Sequence, residues 1–554
     1  MLARQLADLT LYAHTLLMTK QHEWLQGAVI YQIYPRSFYD AKGTGIGNLK
    51  GIIDKLDYLG GSPDSLGITA IWISPIYKSP MADFGYDIAD YTDVDPIFGN
   101  LNDLKTLVRE AHKRSIKVLL DFVPNHSSDE HPWFIESKSS LDNPKRDWYT
   151  WRDPKADGSP PNNWLGVFGG SAWELSSETN QYYLHSFLAK QPDLNWDNPD
   201  VREAIKSVMR FWLDLGVDGF RVDAVDWLSK DAKLRDDPID PNAINKKLNY
   251  DHESLRHLYS RDGPHLFDRL NEMTETLAEY KDRFMITEAH PETNDKIEGY
   301  LKYYQGVNPH LSAPFNFQGI YLPWEVSSFR NFIDSFQAKM KPGYTPIYTV
   351  GNHDESRIAS RIGSAAARTA ALMLLTLPGM AFIYYGEELG MTDVSIPKGK
   401  IQDPFTVPGK GRDPQRTPML WDESLNAGFT TGDPWLPISP DYLDINALVQ
   451  SKSETSSLAL YKRLIQLRNE LPVLKNGSYL AIDVNEHVFS YERRLGQDVL
   501  LVLLNFKASA KQLNMLGFHG EILLSTHLDR DNIEVSEHLS LRPNEGLLIR
   551  VLHD

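Results

Sequence analysis

The chain has 554 residues, 42% of them apolar, and a formal net charge of −17. This length indicates either several domains or one large barrel with attachments, since a typical domain has about 150 residues. So negative a charge argues against a nucleic-acid partner, because binding a phosphate backbone needs a basic surface. The chain has no cysteine, which excludes disulfides and thiolate chemistry. No stretch is long and apolar enough to span a membrane.

The first 17 residues do not match a secretory signal peptide. His14 interrupts their short apolar run, and no small-residue cleavage site follows. Met18 opens a segment that would itself be a natural start of translation. We therefore expect residues 1–17 to be an N-terminal extension, and we expect the protein to be cytoplasmic.

Strand and helix patterns then alternate over most of the chain. Apolar runs predict buried strands over residues 68–75, 115–126, 283–289, 345–354 and 380–388. Apolar residues at helical spacing mark helices over residues 104–111, 205–212 and 460–471. This alternation predicts a parallel α/β architecture.

Two segments depart from this alternation. Residues 127–195 are rich in Trp, Pro and Asn and are too long for a simple loop, which predicts a small inserted domain after the third strand. Near the C-terminus, alternating segments such as HVFSYERR (487–494) predict an antiparallel β domain. We therefore expect a barrel formed by residues 18–126 and 196–470, an inserted domain B over 127–195, and a C-terminal β-sandwich over 471–554.

The segment GFRVDAVDW (219–227) places an arginine and an aspartate two residues apart at the end of a predicted strand. Side chains alternate between the two faces of a strand, so Arg221 and Asp223 lie on the same face. A guanidinium beside a carboxylate favours the charged carboxylate and lowers its pKa. Taken alone, the pair is most simply interpreted as a structural ion pair.

Polar side chains also follow other predicted strands. In a (β/α)8 barrel the C-terminal strand ends meet at one mouth, and that face holds the active site. A single strand that ends in a polar residue is explained by a cap or an ion pair. Four strands that each end in a carboxylate or imidazole side chain predict an active site. The sequence thus predicts a (β/α)8 TIM barrel in which Asp223 stays ionised beside Arg221. The other polar residues of these ends are Asp121, Asn125, His126, Glu288, His353 and Asp354.

Several longer motifs connect these strand ends to a known family. They are DFVPNH (121–126), QPDLNW (191–196), GFRVDAVD (219–226), ITEA (286–289) and VGNHD (350–354), supported by YQIYPRSF, DFGYDIADY (83–91) and GRDPQRTPMLW (411–421). With these motifs the chain resembles the α-amylase family of glycoside hydrolases over about residues 20 to 550. QPDLNW is typical of the α-glucosidase and oligo-1,6-glucosidase branch of that family.

The resemblance implies a retaining mechanism with three carboxylates. Asp223 would be the nucleophile, Glu288 the general acid/base, and Asp354 the carboxylate that bonds the sugar hydroxyls. The acid must start protonated and the nucleophile charged, so we expect a raised pKa for Glu288 and an ionised Asp223. The residues that the resemblance implies for substrate binding are Asp83, Tyr86, His126, Arg221, His353 and Arg416.

The resemblance also implies an activity. The expected enzyme is an exo-acting α-glucosidase that releases glucose from the non-reducing end of short α-glucosides through a covalent glucosyl-enzyme. Members that favour α-1,6 bonds tend to have a bulkier Val after the nucleophile, so Ala224 predicts a preference for α-1,4 bonds. Packing of Ala224 under the barrel rim is the alternative interpretation.

Other activities remain open at this point. A transglucosylase, or a sucrose- or trehalose-type isomerase, would use the same site, because an acceptor other than water can capture the glucosyl-enzyme. The alternative from another class is a non-catalytic amylase-like binding module. That class characteristically lacks the carboxylates, and all three are present here.

Motifs for cofactors and metals are not matched. GTGIGN (43–48) has Asn48 where the last glycine of a phosphate-binding GxGxxG motif belongs. Members of this branch often have a Ca²⁺- or Mg²⁺-binding loop after the first strand. In DAKGTGIGN (40–48), Lys42 and Thr44 stand where carboxylate or amide ligands are expected. We therefore expect no metal and no organic cofactor.

Overall fold

A computed structural model describes residues 23–243, 246–248, 250–293, 295–405 and 411–552. The predicted extension over residues 1–17 lies outside the described residues.

Eight parallel strands form a barrel. The strands are β1 (Val29–Ile33), β2 (Ala70–Ile73), β3 (Lys117–Phe122), β4 (Gly219–Val222), β5 (Phe284–Thr287), β6 (Ser312–Pro314), β7 (Ile347–Thr349) and β8 (Met380–Tyr384). They are hydrogen-bonded in the order β6-β5-β4-β3-β2-β1-β8-β7, and a parallel bridge between Asn316 and Tyr348 lies at the junction of β6 and β7. The predicted (β/α)8 barrel is confirmed.

Amphipathic helices cover the barrel because one face of each is apolar. The helix over Leu101–Lys113 buries Leu104, Leu107, Val108 and Ala111, the residues whose spacing predicted it. The longer helices are α1 (Leu101–Lys113), α2 (Pro199–Asp214), α3 (Leu266–Ala278), α4 (Lys296–Gly306), α5 (Val326–Lys339), α6 (Ser364–Thr376) and α7 (Ser457–Glu470). Shorter helices span Pro35–Phe38, Leu49–Asp54, Leu56–Leu59, Pro132–Ser139, Gln318–Tyr321, Ile358–Ile362, Ala447–Ser451 and Pro472–Asn476.

The segment between β3 and β4 has its own small sheet. Its three antiparallel strands are Trp151–Arg152, Trp173–Leu175 and Tyr182–Leu184. Trp164, Trp173 and Leu184 belong to a hydrophobic cluster separate from the barrel core. These features agree with an inserted domain, whose boundaries at residues 127 and 195 stay a prediction.

The C-terminal segment is antiparallel, as predicted. Its strands are β9 (Ser478–Ile482), β10 (Val488–Leu495), β11 (Asp498–Asn505), β12 (Lys511–Asn514), β13 (Gly520–Ser525), β14 (Ile533–Val535), β15 (His538–Leu541) and β16 (Gly546–Val551). Six of them pair in the order β9-β10-β11-β16-β13-β14, and β12 pairs with β15. Leu513 and Leu541 from the two-stranded sheet share a core with Leu503 and Leu547 from the larger sheet.

Among the described residues, no helix has both the length and the apolar character needed to cross a lipid bilayer.

Candidate active site

A cavity of about 620 Å³ lies at the C-terminal ends of the barrel strands. Two predicted site residues, Arg221 and Arg416, are only 2% and 0% exposed and lie behind its wall. The other predicted residues form part of the wall itself, namely Asp83, Tyr86, His126, Asp223, Glu288, His353 and Asp354. The fold thus brings together side chains that are separated by more than 250 residues in the sequence.

Arg221 connects three carboxylates. It lies on β4 in register with Asp121 of the neighbouring β3. Its Nη1 donates to Asp121 Oδ1 at 2.8 Å and to Asp223 Oδ1 at 2.6 Å, and its Nη2 lies 2.6 Å from Glu288 Oε1. Arg221 is therefore more than the partner of Asp223, because one buried cation contacts all three carboxylates.

The pKa shifts of Asp223 and Glu288 run opposite to the expectation. Burial acts to raise the pKa of Glu288, but contacts with Arg221 and His290 and the N–H of Ala224 lower it below its ordinary value. Burial raises the pKa of Asp223, as does the negative charge of the neighbouring Glu288, despite Arg221. The expected order of the two pKa values is wrong for this arrangement, because the Glu288 carboxylate is turned onto Arg221 and the Ala224 N–H (3.0 Å).

His290 is a cavity residue that the sequence analysis missed. Its Nε2 lies 3.7 Å from Glu288 Oε1, and its ring stacks on Phe317 with 5.0 Å between the centroids. Burial acts to lower the pKa of His290, but contact with Glu288 raises it. The available signal was its position two residues after Glu288, which places both side chains on one side of an extended strand end.

Asp354 is held by two arginines. Arg416 Nη2 donates to Asp354 Oδ1 at 2.9 Å, and Arg412 Nη1 approaches the same oxygen at 3.4 Å. Although burial opposes the shift, the adjacent imidazole of His353 and the two guanidinium groups lower the pKa of Asp354 to about 2. Asp354 is therefore charged at neutral pH.

Arg412 takes the position that was expected for Arg416. Its Nη2 donates to Asp83 Oδ1 at 2.7 Å and to Asp403 Oδ1 at 2.8 Å, and it lines the cavity. Arg416 instead donates through Nε to the His353 carbonyl at 2.7 Å. Contact of Arg416 with the sugar stays a prediction, and the geometry places Arg412 nearer to that role.

A second group of hydrogen bonds forms the base of the cavity. The Tyr86 hydroxyl donates to Asp121 Oδ2 at 3.0 Å and is hydrogen-bonded to His353 Nε2 at 2.7 Å. Gln191 of the QPDLNW motif contacts Asp83 Oδ2 at 3.3 Å and His126 Nε2 at 3.1 Å. Burial lowers the pKa of His126 to about 4 and that of His353 to about 3. Both imidazoles are therefore neutral at pH 7 and can exchange hydrogen bonds with sugar hydroxyls.

Ala224 is 1% exposed and has a left-handed backbone with φ of 49°. Its N–H donates to Glu288. This position favours the interpretation in which the side chain packs under the rim, so the link between Ala224 and the preference for α-1,4 bonds stays a prediction.

The loop after β1 closes around Asp40. Its carboxylate accepts hydrogen bonds from the N–H groups of Lys42 (2.9 Å) and Gly45 (2.7 Å) and from the side chains of Asn48 (2.9 Å) and Thr430 (2.7 Å). Backbone and side-chain donors thus occupy the oxygens that a cation would need. In the part of the chain that the structure describes, no three His, Cys, Asp or Glu residues are grouped to hold a metal ion.

Comparisons with known proteins agree with this geometry. The family described as "Alpha amylase, catalytic domain" matches residues 32–477. An oligo-1,6-glucosidase of Parageobacillus thermoglucosidasius is 39% identical, over 95% of this chain and 99% of the relative. Maltase 1 of Drosophila virilis is also 39% identical, over 95% of this chain and 87% of the relative.

The fold is shared with solved structures as well. The crystal structure of the α-glucosyl transfer enzyme XgtA superposes with a TM-score of 0.88 at 37% sequence identity. The match covers 96% of this chain and 99% of that one. The family match spans most of the barrel and every strand end that lines the cavity. The chain therefore belongs to the α-amylase family of glycoside hydrolases.

Proposed function

We propose that the protein is a retaining, exo-acting α-glucosidase that releases glucose from the non-reducing end of short α-glucosides. The observation that supports this most is the convergence of Asp223, Glu288 and Asp354 on one cavity, with Arg221 behind the first two. A binding module would have no need of three carboxylates at one point, since each costs free energy to bury.

In the proposed reaction, Asp223 attacks the anomeric carbon and Glu288 protonates the departing oxygen. The C1–O bond breaks as the bond from Asp223 to C1 forms, and the oxygen keeps the bonding electron pair and takes the proton of Glu288. Water then loses a proton to Glu288 and attacks C1, which releases glucose and restores Asp223.

The positions of the protons set a condition on this reaction. Burial and the charge of Glu288 raise the pKa of Asp223, whereas contacts with Arg221 and His290 lower the pKa of Glu288 in spite of its burial. The two carboxyls are neighbours, so transfer of a proton to Glu288 within the pair produces the state that the reaction needs. Withdrawal of Glu288 from Arg221 would favour this transfer, because it removes the cation that stabilises the charged Glu288.

The first sugar site follows from the cavity wall. Asp83 and Arg412 form an ion pair at 2.7 Å and are both largely buried. Such a pair offers acceptors and donors to the hydroxyls of a terminal glucose and closes the cavity behind it. We therefore assign Asp83, Tyr86, Arg412 and Asp354 to the binding of the non-reducing glucose, and release of single glucose units follows from this assignment.

A transglucosylase that uses the same site is the second candidate. The similar structure of XgtA is that of an α-glucosyl transfer enzyme. The same glucosyl-enzyme would serve both reactions, which differ in whether water or a second sugar reaches C1. The preference for α-1,4 bonds, the cytoplasmic location and the use of no cofactor stay predictions.

Product analysis tests the proposal and separates the two candidates. We expect p-nitrophenyl α-glucoside to release glucose with retained α-configuration, observed by proton NMR in the first minutes, before mutarotation. Initial release of β-glucose from this substrate would contradict a retaining mechanism. Longer oligosaccharides in excess over glucose at high maltose concentration would favour the transglucosylase.

A further inference from the structure

Three side chains outside the cavity wall, the buried Asp226 and Tyr303 and the exposed Asp262, link the segment after Asp223 to the segment after Glu288. We propose that Asp226 is a positioning residue for the reaction, which acts with Tyr303 and Asp262 to fix the backbone that carries Glu288. The proposal rests on the proposed function, because it concerns the acid/base of the same site.

Asp226 connects two neighbouring strand ends. It is fully buried in the short 3-10 helix Val225–Leu228, three residues after Asp223. Its Oδ2 accepts the N–H of His290 at 2.7 Å. The hydrogen-bonded ladder between β4 and β5 ends at Val222 and Thr287. This contact therefore continues the connection beyond the ladder and limits the movement of Glu288, which lies between Thr287 and His290.

Tyr303 of α4 lies between two carboxylates. Its hydroxyl is 2.6 Å from Asp226 Oδ1 and 3.2 Å from Asp262 Oδ1. A phenol has one proton to donate, so it can serve only one of the two carboxylates at a time. The second contact becomes a hydrogen bond when Asp262 is protonated and donates to the phenol oxygen.

Asp262 extends the same link to the next residues of the loop. Its Oδ2 accepts the N–H of Glu292 at 3.2 Å, and its own N–H donates to the Asp226 carbonyl at 2.8 Å. Its backbone is left-handed, with φ of 52°, a conformation that Asp tolerates better than most residues. The residues after Glu288 are thus held at two points, His290 and Glu292, by two carboxylates that share one phenol.

The surroundings decide how this pair titrates. Although the Asp262 side chain is exposed at its edge, desolvation by the surrounding atoms and the charge of Asp226 raise its pKa to about 7. A cavity of about 250 Å³ borders Asp262 and Tyr303, so protons can reach the pair from solvent. Among the described residues, the other titratable and charged groups that face the pair or line this cavity are Arg261, His257, His290, Glu292 and Lys302.

The link is therefore complete only below about pH 7, where Asp262 is protonated. Above pH 7 the pair loses its shared proton, and two negative carboxylates then face a single hydroxyl. Their repulsion weakens the hold on the backbone around Glu288, because the phenol can no longer satisfy both.

Two substrates with different leaving groups test the positioning role. Maltose needs a proton on its leaving oxygen, whereas p-nitrophenolate leaves without one. We expect Tyr303→Phe and Asp226→Asn to lower kcat/KM for maltose by roughly tenfold to a hundredfold, and for p-nitrophenyl α-glucoside by much less. Tyr304→Phe is the matched control, since it removes a buried hydroxyl of the same helix that donates to the Thr345 carbonyl.

Equal losses on both substrates would overturn the positioning role, because a merely structural defect lowers both rates alike. If the protein without any substitution fails to hydrolyse p-nitrophenyl α-glucoside, the proposed function itself is contradicted. The two failures are therefore distinguishable.

Asp262→Asn tests the shared proton. An Asn side chain can donate to the Tyr303 oxygen and accept from the Glu292 N–H, as the protonated carboxyl does. We expect the alkaline fall in kcat/KM for maltose to move to higher pH in this variant. An alkaline limb at the same pH as in the unchanged protein would overturn the role of the Asp262 proton.

Discussion

Replacement of Arg221 by Gln removes the cation that three carboxylates share. Arg221 is 2% exposed and lies 2.6–2.8 Å from an oxygen of Asp121, Asp223 and Glu288. Loss of one partner of a buried ion pair costs about 3–5 kcal/mol, because the remaining charge is left without compensation. That is a large part of the total stability of about 5–15 kcal/mol that a folded domain has.

The loss depends on pH in a defined direction. Burial raises the pKa of Asp121 to about 6 even with Arg221 in place, and without the cation we expect all three carboxyls to titrate higher in the folded state. A carboxyl whose folded pKa exceeds its unfolded value of about 4 binds more protons in the folded state, so stability falls as pH rises through that range. The decrease is about 1.4 kcal/mol per pH unit for each carboxyl that must release its proton.

Thermal unfolding at pH 5 and pH 8 measures this effect. We expect the melting temperature of Arg221→Gln to lie below that of the unchanged protein at both values, with a clearly larger difference at pH 8. Arg210→Gln is the control, because Arg210 pairs with Glu279 at 2.8 Å on the surface, where ion pairs contribute at most about 1 kcal/mol. A deficit that is independent of pH, or no larger than that of the control, would refute the reasoning.

Other predictions concern the reaction and the substrate. Asp223→Asn should abolish turnover of every substrate while circular dichroism stays unchanged, and substantial remaining activity would remove Asp223 as nucleophile. Glu288→Gln should lose far more activity on maltose than on p-nitrophenyl α-glucoside, and equal losses would argue against a general acid. Arg412→Ala should raise KM for maltose at least about tenfold, since it removes a charged donor from Asp83; an unchanged KM would exclude contact with the first sugar. EDTA should leave the melting temperature unchanged, and kcat/KM should be higher for maltose than for isomaltose.

Most of the barrel was predictable because its strands are apolar and its helices have one apolar face. β5 and β8 lie within the predicted ranges 283–289 and 380–388. β6 was missed, since Ser312–Pro314 is only three residues long and ends in Pro, and so short a segment has no measurable periodicity.

The residues of the candidate site were predictable from the sequence, but the contacts between their side chains were not. Motif matching supplied Asp223, Glu288 and Asp354, whereas the choice between Arg412 and Arg416 depends on the path of one loop. The short 3-10 turn Asp413–Gln415 between them directs the two side chains to different neighbours. The directions of the Asp223 and Glu288 pKa shifts were likewise out of reach, because they follow from burial and from contacts with Arg221 that no spacing in the sequence reveals.

The central claim is that Asp223 forms a covalent bond with glucose during the reaction. A slow substrate with a good leaving group, such as 5-fluoro-α-glucosyl fluoride, should accumulate the intermediate, and mass spectrometry of the peptides would then locate it. We predict one added fluoroglucosyl group, on the peptide that contains GFRVDAVDW and at Asp223. An adduct on another residue, or turnover of the probe with no adduct on any peptide, would contradict the account.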